Sequence, residues 1–309
     1  MGLDHTVELS EFLRSRRARL TPESVGLPPA VTGSARRVPG LRREELAQLA
    51  GVSTDYYTRL EQGRHRNVSA SVLEAIARAL QLDETEQAYL VALAQHHRHG
   101  GGRRHSRSAR PRRVRPSLHQ MLGALDAATP ALITDSSTQV LAANRLARSL
   151  YPDFEAMPYR ERNLARLVFL DESARDLFPD WAEVAEDTAA NLRLAASRDC
   201  EDSGFCELIG ELAVKSPEFR TTWAKHTVRR RSHGHKRFRH PQVGELALEY
   251  EVFAPADEPD QTLFIYTAEP GSPSETALQL LANLSLGDAD KNAGRPTQHD
   301  TDSVESHRI

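Results

Sequence analysis

The chain has few of the features that mark exported, membrane-spanning or disulfide-linked proteins. Its only cysteines among 309 residues are Cys200 and Cys206, whose spacing fits no zinc site and which we interpret as buried thiols. No apolar run approaches the roughly 18–20 residues that a membrane-spanning helix needs. The first residues, MGLDHTVELSEF, include acids and lack the apolar stretch of a signal peptide. We therefore expect a cytoplasmic protein with reduced thiols.

The sequence also lacks the short motifs that mark common catalytic and cofactor sites. It contains no G-x-S-x-G, G-x-x-x-x-G-K-[ST], G-x-G-x-x-G or H-E-x-x-H segment. The segment HGHKRFRH supplies His233, His235 and His240, but the cations between them oppose a bound metal ion. We interpret His240 as a residue that hydrogen-bonds within a strand. The sequence therefore predicts no enzyme activity, no cofactor and no metal site.

The net charge of −3 conceals a difference between the two halves of the chain. Residues 1–117 contain 20 of the 40 basic residues and 12 of the 43 acids, so the remainder contains 20 basic residues and 31 acids. Eight arginines fall in residues 98–115, where there is no acid. Charges often serve only to keep a surface in water, but an acid-free run of arginines favours contact with a polyanion. We therefore expect the first half to meet a polyanion.

The first 95 residues show helical periodicity and no convincing strand. The segment LSEFLRSRRARL places Leu9, Phe12, Leu13 and Leu20 near one helix face, with the arginines opposite. A Pro- and Gly-rich connection follows, then two helices that meet at Gly51, and two more in SASVLEAIARAL and DETEQAYLVALA. These patterns predict five helices and an all-α domain over residues 1–95.

A segment dominated by Gly, Ser, Pro and Arg follows, HHRHGGGRRHSRSARPRRVRP, over residues 96–116. This composition, without an apolar repeat, predicts a linker whose arginines can also touch phosphate. Its histidines have no scaffold to fix the geometry that a metal ion requires. We therefore favour a tether over a metal site.

The pattern changes after residue 116 to one that mixes strands and helices. PALITD and TQVLAAN predict a strand pair, and HKRFRHP, ELALEYEVFAP and TLFIYTAE predict three more strands. Helical segments lie between these groups, notably WAEVAEDTAANLRLAASRD, GFCELIGELAVK and PEFRTTWAKHTV, and SETALQLLANL is the last helix. We predict an α+β domain with one antiparallel sheet over residues 117–285, followed by a disordered tail over residues 286–309.

The segment REELAQLAGVSTDYYTRLEQG predicts two short helices joined by a tight corner. Gly51 stands where the backbone needs a positive φ, Ser53 can cap the second helix, and Ala47 is small where the helices cross. Apolar residues fall at the positions where the helices touch: Leu46, Ala50, Val52, Tyr57 and Leu60. This is the helix-turn-helix pattern, in which the second helix enters the DNA major groove. Similar helix pairs occur in proteins that bind no DNA, but the polar outer face of the second helix favours DNA.

Eight side chains are candidates for contact with DNA: Arg43, Thr54, Asp55, Tyr56, Thr58, Arg59, Arg64 and Arg66. Arg59 is the best candidate for a base contact, because a guanidinium can form two hydrogen bonds with guanine. Asp55 repels phosphate, so it either accepts from a cytosine amine or caps its helix, and we favour the cap. The other three arginines suit phosphate contacts, and the threonines and the tyrosine suit either bases or phosphates.

Segments along most of the chain resemble a known family. VPGLRREELAQLAGVSTDYYTRLEQGR, VLAANRLARSLY, SPEFRTTWAKHTV and FRHPQVGELALEYEVF are similar to the MmyB-like branch of the xenobiotic-response-element (lambda-repressor-like) transcription regulators. The resemblance covers residues 9–284. It implies a five-helix DNA-binding domain and a C-terminal ligand-binding domain with a PAS-like fold, for which a fatty acid has been seen as a ligand in the family. Val68 and Thr54 depart from the residues common in the family, and the second departure bears on operator preference.

The resemblance, rather than any periodicity, introduces a lipid ligand. Eight residues are candidates to line an apolar cavity between the helices and the sheet: Asn144, Phe169, Trp181, Phe219, Trp223, His240, Leu248 and Tyr250. Taken singly, each is explained more simply by ordinary core packing. A ligand carboxylate would need a basic partner, and Arg229, Arg237 and His240 lie near the apolar strand in sequence.

Together these features predict a cytoplasmic, nucleoid-associated transcription regulator. We expect it to bind operator DNA as a homodimer, since operators of such proteins tend to be two-fold, and to sense a small, apolar, fatty-acid-like molecule. Two alternatives stay open. The second domain could recruit a protein partner and hold no ligand, which a dry, filled core would favour, or the chain could be an enzyme with a DNA-binding appendage.

Overall fold

The computed structural model describes residues 5–27, 40–64, 68–96, 113–125, 128–197 and 203–293. Its described part before residue 97 contains five α-helices and a short 3₁₀ turn at Glu23–Val25, which confirms the predicted all-α region. In chain order the helices are α1 (His5–Arg19), α2 (Arg43–Ala50), α3 (Thr54–Glu61), α4 (Ala70–Ala79) and α5 (Glu84–His96). α1 packs against α3 and α5, while α2 packs against α3 and α4.

A buried apolar cluster holds these five helices together. Leu9, Phe12 and Leu13 of α1 are fully buried, and the Phe12 ring meets that of Tyr89 edge-on at a centroid distance of 5.0 Å. The predicted apolar face of α1 is therefore confirmed. Val228, from the second half of the chain, packs into the same cluster, so the two halves share part of one core.

Two arginines of α1 depart from the prediction that its arginines lie opposite the apolar face. Arg16 and Arg17 are buried. Arg17 bonds Glu61 of α3, and Arg16 lies 2.7 Å from Glu86 of α5, measured from nitrogen to oxygen. A guanidinium can be buried when a carboxylate meets it. The prediction was wrong for these two residues because their partners come from distant parts of the chain.

The second half of the chain is built on one five-stranded antiparallel sheet, as predicted. The strands are β1 (Ala131–Asp135), β2 (Val140–Ala143), β3 (His233–His240), β4 (Gly244–Phe253) and β5 (Gln261–Thr267). Their order across the sheet is β2-β1-β5-β4-β3, and every pair of neighbours is antiparallel. β5 therefore joins the β1–β2 hairpin to the β3–β4 hairpin.

Helices fill the chain between the two hairpins and flank the sheet. In chain order they are α6 (Pro116–Ala124), α7 (Arg145–Leu150), α8 (Leu164–Leu170), α9 (Ser173–Leu177), α10 (Trp181–Ala196), α11 (Ser203–Lys215), α12 (Pro217–Trp223) and α13 (Pro273–Ala293). The sequence predicted α10, α11, α12 and the start of α13. The shorter helices, α6 to α9, span five to nine residues each and were not resolved by periodicity.

The end of the chain differs from the sequence prediction. α13 continues to Ala293, past residue 286, where a disordered tail was predicted to begin. Residues 294–309 lie outside the described residues, as do residues 97–112 of the predicted linker and Cys200. Cys206 is half-buried in α11. None of the described helices is both long enough and apolar enough to cross a membrane.

Candidate DNA-binding surface and ligand cavity

The corner between α2 and α3 has the geometry that the sequence predicts. Gly51 adopts a φ of 66° just past α2, and its N–H donates to the Gln48 carbonyl at 3.2 Å. The Ser53 hydroxyl accepts the backbone N–H of Tyr56 at 3.1 Å and so caps α3. Ala47 is buried on α2. Local contacts therefore set the direction in which α3 leaves the corner.

The predicted DNA contacts on α3 lie on its outer side. Thr54, Asp55 and Arg59 are exposed, whereas Tyr56 and Thr58 are half-buried. The side chains of Asp55 and Arg59, one turn apart, form an ion pair with 3.0 Å between nitrogen and oxygen. An exposed pair of this kind contributes little stability, so Asp55 holds Arg59 only weakly. Tyr57 is fully buried, so its predicted place in the core is confirmed.

A largely buried ion triad, formed by Arg17, Arg43 and Glu61, holds the end of α3 against α1 and α2. Glu61, the last residue of α3, is 2% exposed. Arg17 donates from Nε and Nη2 to its carboxylate at 3.1 and 3.0 Å, and from Nη1 to the Leu41 carbonyl at 2.6 Å. Arg43 donates from Nε and Nη2 to Glu61 Oε1 at 3.1 and 3.0 Å. One carboxylate is thus the shared anchor of three helices.

The two guanidinium groups of the triad keep Glu61 ionised. Burial acts to raise the pKa of the Glu61 carboxyl, but the hydrogen bonds and charges of Arg17 and Arg43 outweigh it and hold that pKa below the ordinary value of 4.5. The triad therefore persists at neutral pH. Sequence reasoning missed it, because its arginines lie 44 and 18 residues from Glu61.

The three arginines predicted to contact phosphate have different surroundings. The side chain of Arg43 is 40% exposed, although its guanidinium already bonds Glu61. Arg64 is exposed just beyond α3, and Arg66 lies outside the described residues. A phosphate contact by Arg43 would therefore come from a group whose position the triad fixes.

Four of the eight predicted ligand contacts form one aromatic stack. The rings of Phe169 and Phe219 meet edge-on at 5.0 Å, and Phe219 stacks on Trp223 at 5.2 Å. Trp181 meets Phe169 at 6.3 Å and donates its indole N–H to the Val168 carbonyl at 2.9 Å. Ring contacts on this scale fill the space between α8, α10 and α12. Ordinary core packing accounts for these four side chains.

Three more of the predicted ligand contacts serve the fold itself: Asn144, His240 and Leu248. The Asn144 side chain accepts the backbone N–H groups of Ala131 and Ala147 at 3.0 and 2.9 Å, so it ties β1 to the start of α7. His240 Nε2 donates to the Ser149 carbonyl of α7 at 2.8 Å, rather than within its own strand as predicted, and burial lowers the pKa of this imidazole. Leu248 is buried on β4.

A cavity of about 90 Å³ lies between α10 and the inner face of the sheet. Tyr250, the eighth predicted contact, lines it. The α10 side carries Asp180, Glu183 and Asp187. Arg231 reaches across from the segment before β3 and lies 2.8 Å from Glu183 and 3.1 Å from Asp187, measured from nitrogen to oxygen. The cavity therefore has a charged wall and an aromatic wall.

The two arginines that the sequence offered to a ligand carboxylate already pair with acids of the cavity wall. Arg229 lies 3.5 Å from Asp187, and Arg237 lies 3.4 Å from Asp180. The cavity is also lined by Lys236, which sequence analysis did not single out. The alternation of side chains along a strand predicts that Lys236 faces inward, because Lys236 and the buried Phe238 are two residues apart on β3.

A buried ionic cluster, formed by Glu8, Arg193 and His226, joins the two domains. Arg193, in the last turn of α10, is 1% exposed, and its guanidinium bonds the Glu8 carboxylate of α1. The same guanidinium lies 4.0 Å from the centre of the Trp223 ring and 3.0 Å from His226 Nδ1. Arg16 donates to the His226 carbonyl at 2.8 Å. Burial acts to raise the pKa of Glu8, but the His226 hydrogen bond and the Arg193 charge bring it below 4.5.

A helix-turn-helix unit and an α+β domain with a cavity define a class of protein, the DNA-binding regulators that carry a ligand-binding domain. Family models match residues 8–90 to a helix-turn-helix domain and residues 114–281 to the MmyB-like transcription regulator ligand binding domain. The chain belongs to the MmyB-like transcription regulators, which confirms the resemblance. No curated protein matches the chain.

Proposed function

We propose that this protein regulates transcription by binding a specific operator sequence through α3. The observation that carries the proposal is the exposed polar side of α3, which the Gly51 corner and the Glu61 triad hold outward. In helix-turn-helix proteins the second helix lies in the major groove. Arg59, more than half exposed, supplies the guanidinium that fits the two acceptors of guanine.

An alanine substitution at Arg59 tests this proposal against a matched control. Arg59→Ala should lose about 1–3 kcal/mol on the specific duplex, mainly at one base pair, because only base contacts carry sequence information. Arg14→Ala is the control, since Arg14 is equally exposed and also pairs within its own helix, with Glu11 on α1. Fluorescence anisotropy with single-base operator variants measures both. Equal losses on specific and random DNA for Arg59→Ala would overturn the base contact.

The proposal also covers the type of the DNA-binding domain and the oligomeric state of the protein. We infer a lambda-repressor-like domain of the xenobiotic-response-element type that acts as a homodimer on the nucleoid, in the cytoplasm. The order of five helices with the corner between the second and third supports the domain type. Two-fold operators, the usual targets of such domains, support the dimer. Sedimentation of the full chain with and without operator duplex tests that assembly.

We further propose that the second domain, with a PAS-like fold, senses a small molecule and passes the signal through α10. One end of α10 lines the cavity, and the other end buries Arg193 against Glu8 of the DNA-binding domain. A ligand that binds one position of α10 better than another would shift the population of that position. The resemblance supports a fatty-acid-like ligand, which would need more room than the cavity of about 90 Å³ provides.

A second candidate function, recruitment of a protein partner without a ligand, has support of its own. The cavity of about 90 Å³ is smaller than the roughly 300–1,000 Å³ typical of ligand pockets, and the aromatic stack fills the space between α8, α10 and α12. A filled core favours a domain that recruits a protein partner without a ligand. Denaturing mass spectrometry of small molecules extracted from the purified protein separates the two functions, because a sensor retains a stoichiometric compound.

A further inference from the structure

Lys236 places an ammonium group inside the ligand-binding domain. On β3 it shares the inward face with Phe238, whereas Arg237 between them is exposed. Lys236 Nζ lies 5.6 Å from the ring centre of Tyr250 and 5.9 Å from that of Tyr266, close enough for favourable contact between a cation and an aromatic face. A lysine in this position is costly for the fold unless another group compensates its charge.

The nearest acids across the cavity are already bonded to an arginine. Glu183 and Asp187 face Arg231, whose nitrogens lie 2.8 and 3.1 Å from their oxygens. Asp187 acts on Lys236 only at longer range. In the part of the chain that the structure describes, no hydrogen bond or ion pair reaches the Lys236 ammonium. Its charge is therefore available to a bound anion.

Gly234, on the same strand as Lys236, lies against the aromatic wall of the cavity. Gly234 pairs with Tyr250 across β3 and β4. A Cβ added at Gly234 would lie 2.9 Å from the Tyr250 hydroxyl oxygen, a distance that requires the ring to move. Glycine at this position therefore leaves room for the Tyr250 side chain, which forms part of the cavity wall.

The size and lining of the cavity limit what it can hold. A volume of about 90 Å³ is several times the roughly 10–15 Å³ that one water molecule needs, and well below the roughly 300–1,000 Å³ of a typical ligand pocket. Thr134 and Thr188 contribute hydroxyl groups to the lining, and Phe264 and Tyr266 contribute aromatic carbon. A short chain with one negatively charged end satisfies both surfaces, because its oxygens can meet the ammonium while its carbons meet the rings.

We propose that this cavity binds a short-chain carboxylate, with the Lys236 ammonium as its direct partner. The inference rests on the proposed function only in that the second domain takes a small-molecule ligand. It differs from a fatty-acid-like ligand, because a cavity of about 90 Å³ is too small to enclose a long acyl chain.

Isothermal titration of the full-length protein with butyrate tests the inference. Wild type should bind butyrate, and Lys236→Met should bind it about tenfold or more weakly, the loss expected for one charge-assisted hydrogen bond. Arg239→Met is the matched control, since Arg239 is an exposed cation of the same strand that pairs with Glu245 on the outer face. Butyramide, which has the same shape and no charge, should also bind about tenfold or more weakly than butyrate.

Thermal unfolding without ligand separates a binding role of Lys236 from a structural one. If the cavity is built for an anion, Lys236→Met removes a poorly compensated charge and leaves Tm equal or higher. A lower Tm would show that Lys236 stabilises the fold as a counter-charge to Asp187, and would overturn the inference.

Three binding results would also overturn it: no binding of butyrate, equal binding by wild type and Lys236→Met, or binding of dodecanoate without binding of butyrate. The same variants should keep the wild-type preference for specific DNA in the absence of any carboxylate. If butyrate fails while that preference persists, the inference fails and the proposed function stands.

Discussion

At the scale of single residues, buried and exposed charges have different tasks in the DNA-binding domain. Replacing Glu61 in the triad leaves two guanidinium groups without their shared counter-charge, which typically costs about 3–5 kcal/mol. Breaking the exposed pair of Arg59 and Asp55 costs roughly 0.2–1 kcal/mol. Residues that position α3 are therefore separable by experiment from residues that contact DNA.

The triad makes the stability of this domain depend on acid pH. Because the pKa of Glu61 is lower in the folded chain than its ordinary 4.5, its stabilising contribution is complete above pH ~4.5 and is lost as the pH falls further. Glu61→Gln should therefore lower the free energy of unfolding by about 3–5 kcal/mol at pH 7, and by progressively less below pH 4.5. Urea-unfolding midpoints of the full chain between pH 7 and 3 measure this difference.

Glu74→Gln is the control for that experiment, since Glu74 is an exposed carboxylate on α4 of the same domain. It should change the midpoint little at any pH. A Glu61→Gln deficit that stays constant down to pH 3 would contradict the assigned role of the ionised carboxylate.

Residues whose roles follow from neighbours in sequence were predictable, and residues whose roles follow from distant partners were not. Gly51 and Ser53 act through the backbone beside them, so composition and spacing were sufficient. Glu61 and Arg193 are explained by partners that include residues 44 and 185 positions away. Lys236 lies between these cases, because strand alternation places it inward but only the fold shows that arginine occupies the nearby acids.

At the scale of elements, α10 connects the cavity to the DNA-binding domain. Its first half carries Glu183 and Asp187 at the cavity wall, and its last turn carries Arg193 at the junction with α1. An α-helix transmits a displacement along its axis because each turn is hydrogen-bonded to the next. Movement at the cavity would therefore reach Glu8 through one continuous element.

Two matched arginine substitutions, one at the junction between the domains and one within the second domain, test this connection. Arg193→Met should loosen the docking of α1 and raise its amide exchange several-fold, because Glu8 loses its buried counter-charge. Arg175→Met is the control: Arg175 also lies over a tryptophan, 4.1 Å from the Trp181 ring centre, but its acid partner belongs to the same domain. Hydrogen–deuterium exchange measured by mass spectrometry reports on residues 5–19.

Faster exchange confined to the second domain of Arg193→Met, with α1 unchanged, would contradict a coupling role for α10. Equal effects of Arg193→Met and Arg175→Met on α1 would contradict it as well, since only the first substitution removes a contact between domains.

Element prediction succeeded where the hydrophobic pattern is long. α10 spans 16 residues and α11 spans 13, and both appear in the sequence as clear helical segments. α9 spans five residues, too few for periodicity to separate a helix from a turn. α13 was predicted too short, because its last part turns polar while the backbone stays helical.

At the scale of the whole molecule, the proposed DNA-contacting surface lies in the first domain and the proposed ligand cavity in the second, and the buried cluster of Glu8, Arg193 and His226 lies between the two domains. Affinity for operator and affinity for ligand are then linked, and each changes the other by the same factor. The direction of the change depends on which position of α10 the ligand prefers.

The most direct measurement is competitive binding of the full-length protein to a duplex from its own promoter and to a scrambled duplex of the same composition, at about 0.15 M salt. A regulator that contacts bases through α3 should prefer the promoter by about 10³-fold or more. Equal affinity for the two duplexes would contradict the central claim, because charge alone binds both sequences alike.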